Sequence, residues 1–256
     1  MQKTTSVISK SKYKTRRELV FLLLSGLFLG TLGILNILGV SRQIDLSFII
    51  FGIKIPFIVF VGILPYPVTF LCTDFISEIY GKKSANRVVW VGLIVNIWVI
   101  FILWFGGILP PEPKLGPDGL PLIDDPARTF FTIRKWTFST TVASMTAYLT
   151  AQFIDVHIFH YIRELTKGKH LWLRNNASTL TSQMVDSVSV VLITYFLSKN
   201  AIIINPEKGV FFTLLVIIVS SYLFKMIAAL LDTIPFYIGV NFLKKYLGID
   251  GDELHH

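Results

Sequence analysis

Apolar runs of about 20 residues alternate with short polar joints along the chain, occupying roughly residues 18–40, 55–80, 86–109, 137–161, 177–198 and 210–234. A helix of that length crosses the ~30 Å hydrocarbon layer of a bilayer. The pattern therefore predicts an all-α membrane protein built as a bundle of six transmembrane helices. Residues 1–17 read as a basic cytoplasmic tail, 18–246 as one membrane domain and 247–256 as a C-terminal tail. Pro56, Pro65 and Pro67 punctuate the second run, and each removes a backbone donor. Part of 41–67 is thus expected as broken helix, re-entrant backbone or irregular loop before helix 2. The long polar stretch Pro110–Arg128 is rich in proline, glycine and acidic residues and reads as an external loop over 110–130, either a solvated connector or a lid.

Polar positions inside the runs fall at helical spacing. Residues three, four, seven and eleven apart share a helix face. Thr141, Ser144, Tyr148, Gln152 and Asp155 make one stripe; Thr179, Ser182, Gln183 and Asp186 make another; Ser221, Lys225, Ala228 and Asp232 make a third. Asp74, Glu78 and Lys82 repeat every four residues, in the Glu-before-Lys order that favours pairing. Hydroxyl and Tyr148 positions are ordinary helix–helix contacts. Carboxylates, Lys225 and the amides are costlier to bury, which makes them the functional candidates. Asp186 and Lys225 fall at similar mid-depth and are expected to pair. Asp74, Asp155 and Asp232 lie in the inner third of their spans, with Tyr80, Tyr161 and Tyr237 five or six residues later, a faint repeat. Gly26, Gly30 and Gly33 are expected to let another helix approach closely; Asn36 is ambiguous, and Asn96 suits a helix–helix hydrogen bond. His157 is off the face of Asp155, so the two are not a metal pair.

Composition agrees with the hydropathy pattern: 53% of residues are apolar, 16% are charged and mean hydropathy is +0.64, outside soluble usage. The net charge of +8 does not point to nucleic acid, because the cations flank apolar runs. In the six-span arrangement 15 of the 24 Lys and Arg side chains fall on one side and 8 on the other, which puts both termini in the cytoplasm. The first run is read as retained rather than as a cleaved leader. The single cysteine, Cys72, excludes an intramolecular disulfide and reads as a packing residue. The terminal His255-His256 pair carries no weight.

Four blocks carry a resemblance: Tyr66–Arg87 with its TD…E-x-Y-G-K core, Gln152–Arg163, Arg174–Asp186 and Tyr222–Tyr237, with Asn36-Ile37 as an opening Asn-Ile. In them the chain resembles the VUT family of bacterial membrane proteins, known as queuosine-precursor transporters. The resemblance implies import of a deazapurine, either a deazaguanine precursor or queuine, across the bacterial inner membrane for tRNA modification. It also suggests a substrate site drawn from Asn36, Asp74, Glu78, Asn176, Gln183, Asp186 and Lys225, with gating or proton coupling by Glu78, Asp155 and Asp232. One carboxylate, Asp186 or Asp74, can accept the paired N–H donors of a guanine-like edge, and an amide, Gln183 or Asn176, can serve its carbonyl. The implied partners are the small-molecule substrate and the lipid bilayer, with no direct nucleic acid, no cofactor and no metal; a homodimer stays open.

Other classes meet specific objections. A substrate-binding subunit of an energy-coupling-factor vitamin importer shares the size and span number; lacking a Walker motif, this chain would need an ATPase partner. An intramembrane aspartyl protease would bring Gly-rich signatures that are absent, so no enzyme is expected. A cargo-free scaffold leaves the mid-span charges unmotivated. Carboxylates permit proton symport, whereas facilitated diffusion with metabolic trapping needs none of them.

Overall fold

The computed structural model describes residues 2–110, 126–167, 171–198 and 202–248. Six helices appear there: α1 (Gln2–Leu38), α2 (Tyr66–Tyr80), α3 (Lys82–Ile108), α4 (Pro126–Leu165), α5 (Leu171–Leu197) and α6 (Gly209–Leu247). Four of them, α1, α3, α5 and α6, are long and apolar enough to cross a membrane. The core of the 110–130 loop and the final residues, His255-His256 included, lie outside the described residues, as do the side chains of Gln152, Asp155 and Asn176.

Three boundaries depart from expectation. Helix α1 starts at Gln2, so the predicted tail is helical. Helix α6 passes through Pro235 to Leu247 instead of stopping near 234, since a membrane helix can have the backbone groups freed by a proline satisfied by its neighbours. Helix α2 has only 15 residues, about 22 Å of helix, because the prolines defer its start and Gly81 ends it. At φ +83° that glycine occupies backbone space that side chains avoid, and its N–H closes on Ser77 O at 3.0 Å. The helix thus breaks between Glu78 and Lys82, and the side chain of Lys82 lies outside the described residues.

The stretch before α2 is neither helix nor loose coil. Strands β1 (Gln43–Asp45) and β4 (Ile58–Phe60) pair antiparallel, as do β2 (Phe48–Ile50) and β3 (Ile53–Ile55). A 3₁₀ turn, Val61–Ile63, leads toward α2. Val59, Phe60 and Ile63 are buried, so irregular backbone here is shielded by protein. Ser47 donates its backbone N–H to Asp45 Oδ1 at 2.8 Å and holds that carboxyl below its ordinary 3.8. Its contribution to the hairpin is therefore present at neutral pH and lost only as pH falls below that range. The β2–β3 turn uses Phe51 at φ +49° and Gly52 at φ +80°. Two such residues form the tight turn that favours Asn-Gly, and Phe51 is fully exposed. Phe51→Asn is expected to raise stability by about 1 kcal/mol, read as a higher thermal midpoint in detergent.

The chain divides into two compact units. The first comprises Met1–Gly33, Pro65–Asn96 and Met226–His256. Its apolar clusters are Phe28, Cys72, Ile76, Ala85 and Val88, and Val20, Ile79 and Leu247. Phe75 stacks on Phe236 at 5.6 Å between centroids. Cys72 is buried, the packing role its sequence context predicts. The second unit comprises Ile34–Leu64 and Ile97–Lys225. It centres on Val40, Phe60, Val191, Ile202, Leu214 and Ile217, with α4 packed along α5. Among the described residues nothing lies within 4 Å of a side chain built at Gly26, Gly30 or Gly33, which corrects the expectation of close helix packing there. Gly92 of α3 does meet a neighbouring helix, lying against Leu32 and Phe28 of α1.

Candidate functional site

The interior of the second unit is polar where its helices meet. Helix α5 carries Asp186 and helix α6 carries Lys225, and the expected pair forms: Lys225 Nζ donates to Asp186 Oδ2 with both side chains almost fully buried. An ion pair removed from water costs several kcal/mol per charge to desolvate, a poor way to hold helices together. One turn before Asp186, the buried Gln183 Oε1 has no hydrogen-bond partner among the described residues. The same holds for the hydroxyls of Thr137 and Thr141 on α4 and Thr194 on α5. Gln183 and Thr194 are eleven residues apart and share a face, as do Thr137 and Thr141. Among the described residues this unit therefore carries several buried polar atoms without a hydrogen-bond partner, Gln43 Nε2 included, together with the buried Asp186–Lys225 pair. Asn36 is 1% exposed and accepts a hydrogen bond from Ser144 Oγ at 3.1 Å, anchoring α1 to the expected stripe of α4.

The first unit holds Asp74, Glu78 and Asp232, while Asp155 falls in the second. Asp74 on α2 and Asp232 on α6 are near enough for the charge of one to act on the other, and Asp232 Oδ2 is buried without a hydrogen-bond partner among the described residues. Glu78 pairs with Lys244 Nζ at 3.0 Å at a partly exposed position. Lys244 was missed from sequence because the sixth span was expected to end near 234; its only signal was the Lys244-Lys245 pair. The faint aspartate–tyrosine repeat does not yield equivalent sites. Tyr80 donates to Arg17 O at 2.7 Å, whereas Tyr161 and Tyr237 are exposed. The expected site residues thus divide: Asp74, Glu78 and Asp232 belong to one unit, Asn36, Gln183, Asp186 and Lys225 to the other.

The model of the family described as "Putative vitamin uptake transporter" matches residues 60–239. The chain belongs to this family. The matched region includes all the acidic candidates, Gln183 and Lys225, and leaves Asn36 outside. Among curated relatives, the "Probable queuosine precursor transporter" of Bacillus subtilis is 28% identical over 49% of this chain and 52% of its own length. The chain thus spans about half the length of that relative. A protein of the same name from Haemophilus influenzae is 24% identical over 69% of this chain and 66% of its own length. The "Queuosine precursor transporter" of Escherichia coli is 26% identical over 76% and 78%. No solved structure matches the chain. Family membership and the membrane-crossing helices make this a multi-pass membrane protein of a transporter family rather than an enzyme.

Proposed function

We propose that the protein imports a queuosine precursor, a deazaguanine base or queuine, across the bacterial inner membrane. The observation that carries the reading is the buried Asp186–Lys225 pair beside Gln183 Oε1, which has no hydrogen-bond partner among the described residues, within a region whose relatives bear queuosine-precursor transporter names. A deazaguanine edge offers adjacent N–H donors. Asp186 uses Oδ2 for Lys225 and can take a ring donor through Oδ1, while Gln183 Oε1 accepts a second donor and Lys225 keeps the charge balanced. Asp74 and Asn176 remain alternative contacts, and Asn36 fixes the α1–α4 side.

In this reading six helices cross the bilayer with both termini cytoplasmic. Non-helical backbone is tolerated at membrane depth where protein covers it, as at the buried 3₁₀ turn and β4. Asp232 carries a coupled proton, with Glu78 and Asp155 gating. The test expresses the chain in cells unable to make or import queuosine precursors, supplies each base in turn, and measures queuosine in tRNA. No restoration with any base refutes the proposal, and restoration in a host without energy-coupling-factor subunits removes the ATPase-dependent alternative. Gln183→Leu is expected to raise the half-saturating base concentration about tenfold, the loss of one buried hydrogen bond, at unchanged protein level. For coupling, Asp232→Asn is expected to abolish the dependence of uptake on an imposed pH gradient; retention of that dependence rules the residue out as the proton carrier.

A further inference from the structure

A cleft of about 430 Å³ opens between α3 and the beginning of α4, walled by Leu103, Trp104, Phe131 and Phe138 and carrying Arg134 and Lys135. Three features set it apart from the polar interior. Neither cation forms an ion pair among the described residues. The Arg134 guanidinium is seated: it occupies the space a side chain at Gly107 would take, and lies 5.9 Å over the ring of Phe131. Finally, the wall faces outward. Trp104, Phe131 and Phe138 are 50%, 42% and 50% exposed, next to the exposed aromatic face of α3 formed by Trp98, Phe101 and Phe105.

These features ask for a ligand with two parts. A small inorganic anion would neutralise the cations but gain nothing from the aromatic and aliphatic wall. A neutral lipid would fill the wall but leave two charges without counter-charge beside hydrocarbon. We propose that the cleft binds an anionic phospholipid, its phosphate on Arg134 and Lys135 and an acyl chain along Leu103, Trp104 and Phe138. Basic pockets between membrane helices select anionic head groups in this way, and interfacial tryptophan marks the head-group level. Gly107 serves the site by leaving room for the guanidinium.

The full-length protein, purified in mixed micelles with equimolar phosphatidylglycerol and phosphatidylcholine, is examined by native mass spectrometry for retained lipid. Two cations at about fivefold each give an expected preference for phosphatidylglycerol of about twenty-fivefold. The preference is expected to drop about fivefold in Lys135→Gln, whose exposed side chain leaves folding untouched, and to fall to near unity in the Arg134→Gln/Lys135→Gln double variant. Gly107→Ala, which displaces the guanidinium but keeps both charges, is expected to lose about fivefold. Equal retention of the two lipids by the wild type, or an unchanged preference in Lys135→Gln, overturns the proposal. So does displacement of the lipid by millimolar inorganic phosphate or by a deazapurine base, because the cleft would then be a site for a water-soluble ligand.

Discussion

Lys225→Met is expected to cost about 3–5 kcal/mol of stability and to cut queuosine-precursor uptake at least about a hundredfold. The reason is geometric. Lys225 is 6% exposed and its ammonium is the partner of Asp186 Oδ2, so truncation strands a buried carboxylate without its counter-charge. The double variant Asp186→Leu/Lys225→Met removes both charges and fills the space with apolar groups. It is expected to recover most of the stability, as buried ion pairs replaced by hydrophobic isosteres commonly do, yet to remain without uptake. Thermal unfolding in detergent and tRNA queuosine content, measured on the same set, separate the two effects. A double variant that folds and transports would reduce the pair to scaffolding and withdraw Asp186 from the proposed substrate site.

Gly62→Ala is the second large effect. A Cβ at position 62 would lie 2.7 Å from Gly39 Cα, 2.8 Å from Leu35 O and 2.9 Å from Gly39 O. All three are backbone atoms, which cannot rotate aside, and the Gly62 N–H already bonds to Gly39 O at 3.0 Å. The substitution must push the 3₁₀ turn away from the end of α1. A loss of about 3 kcal/mol and poor accumulation in the membrane are expected. Gly30→Ala supplies the contrast, since its Cβ meets nothing within 4 Å and alanine favours helix by about 1 kcal/mol over glycine. Equal stability of Gly62→Ala and wild type would show that the close approach of the two glycines is dispensable.

The sequence was a good guide wherever one physical term dominated. Long apolar runs located α1, α3, α5 and α6 because transfer to hydrocarbon outweighs any local preference over about 20 residues. The same holds for Asp186 and Lys225. Charges so costly to desolvate must find each other, and similar depth on consecutive helices made the pairing legible. Legibility failed where two weak local signals competed. Pro65, Pro67 and Gly81 shortened α2, while Pro235 ended nothing. Proline alone does not tell a break from a tolerated member of a membrane helix; the neighbours that satisfy the freed carbonyl do.

Class, the membrane-crossing apolar segments and the mid-depth charge pair were therefore determined by the order of residues alone, since each follows from burial energies that a linear pattern records. Tertiary structure decided the rest. It paired Glu78 with Lys244 across 166 positions and seated Arg134 against Gly107; among the described residues it left Gln183 Oε1 without a hydrogen-bond partner and Gly26 and Gly30 without a close neighbour. Each of these depends on which faces meet after the helices assemble, and no pattern along a single helix specifies its neighbour.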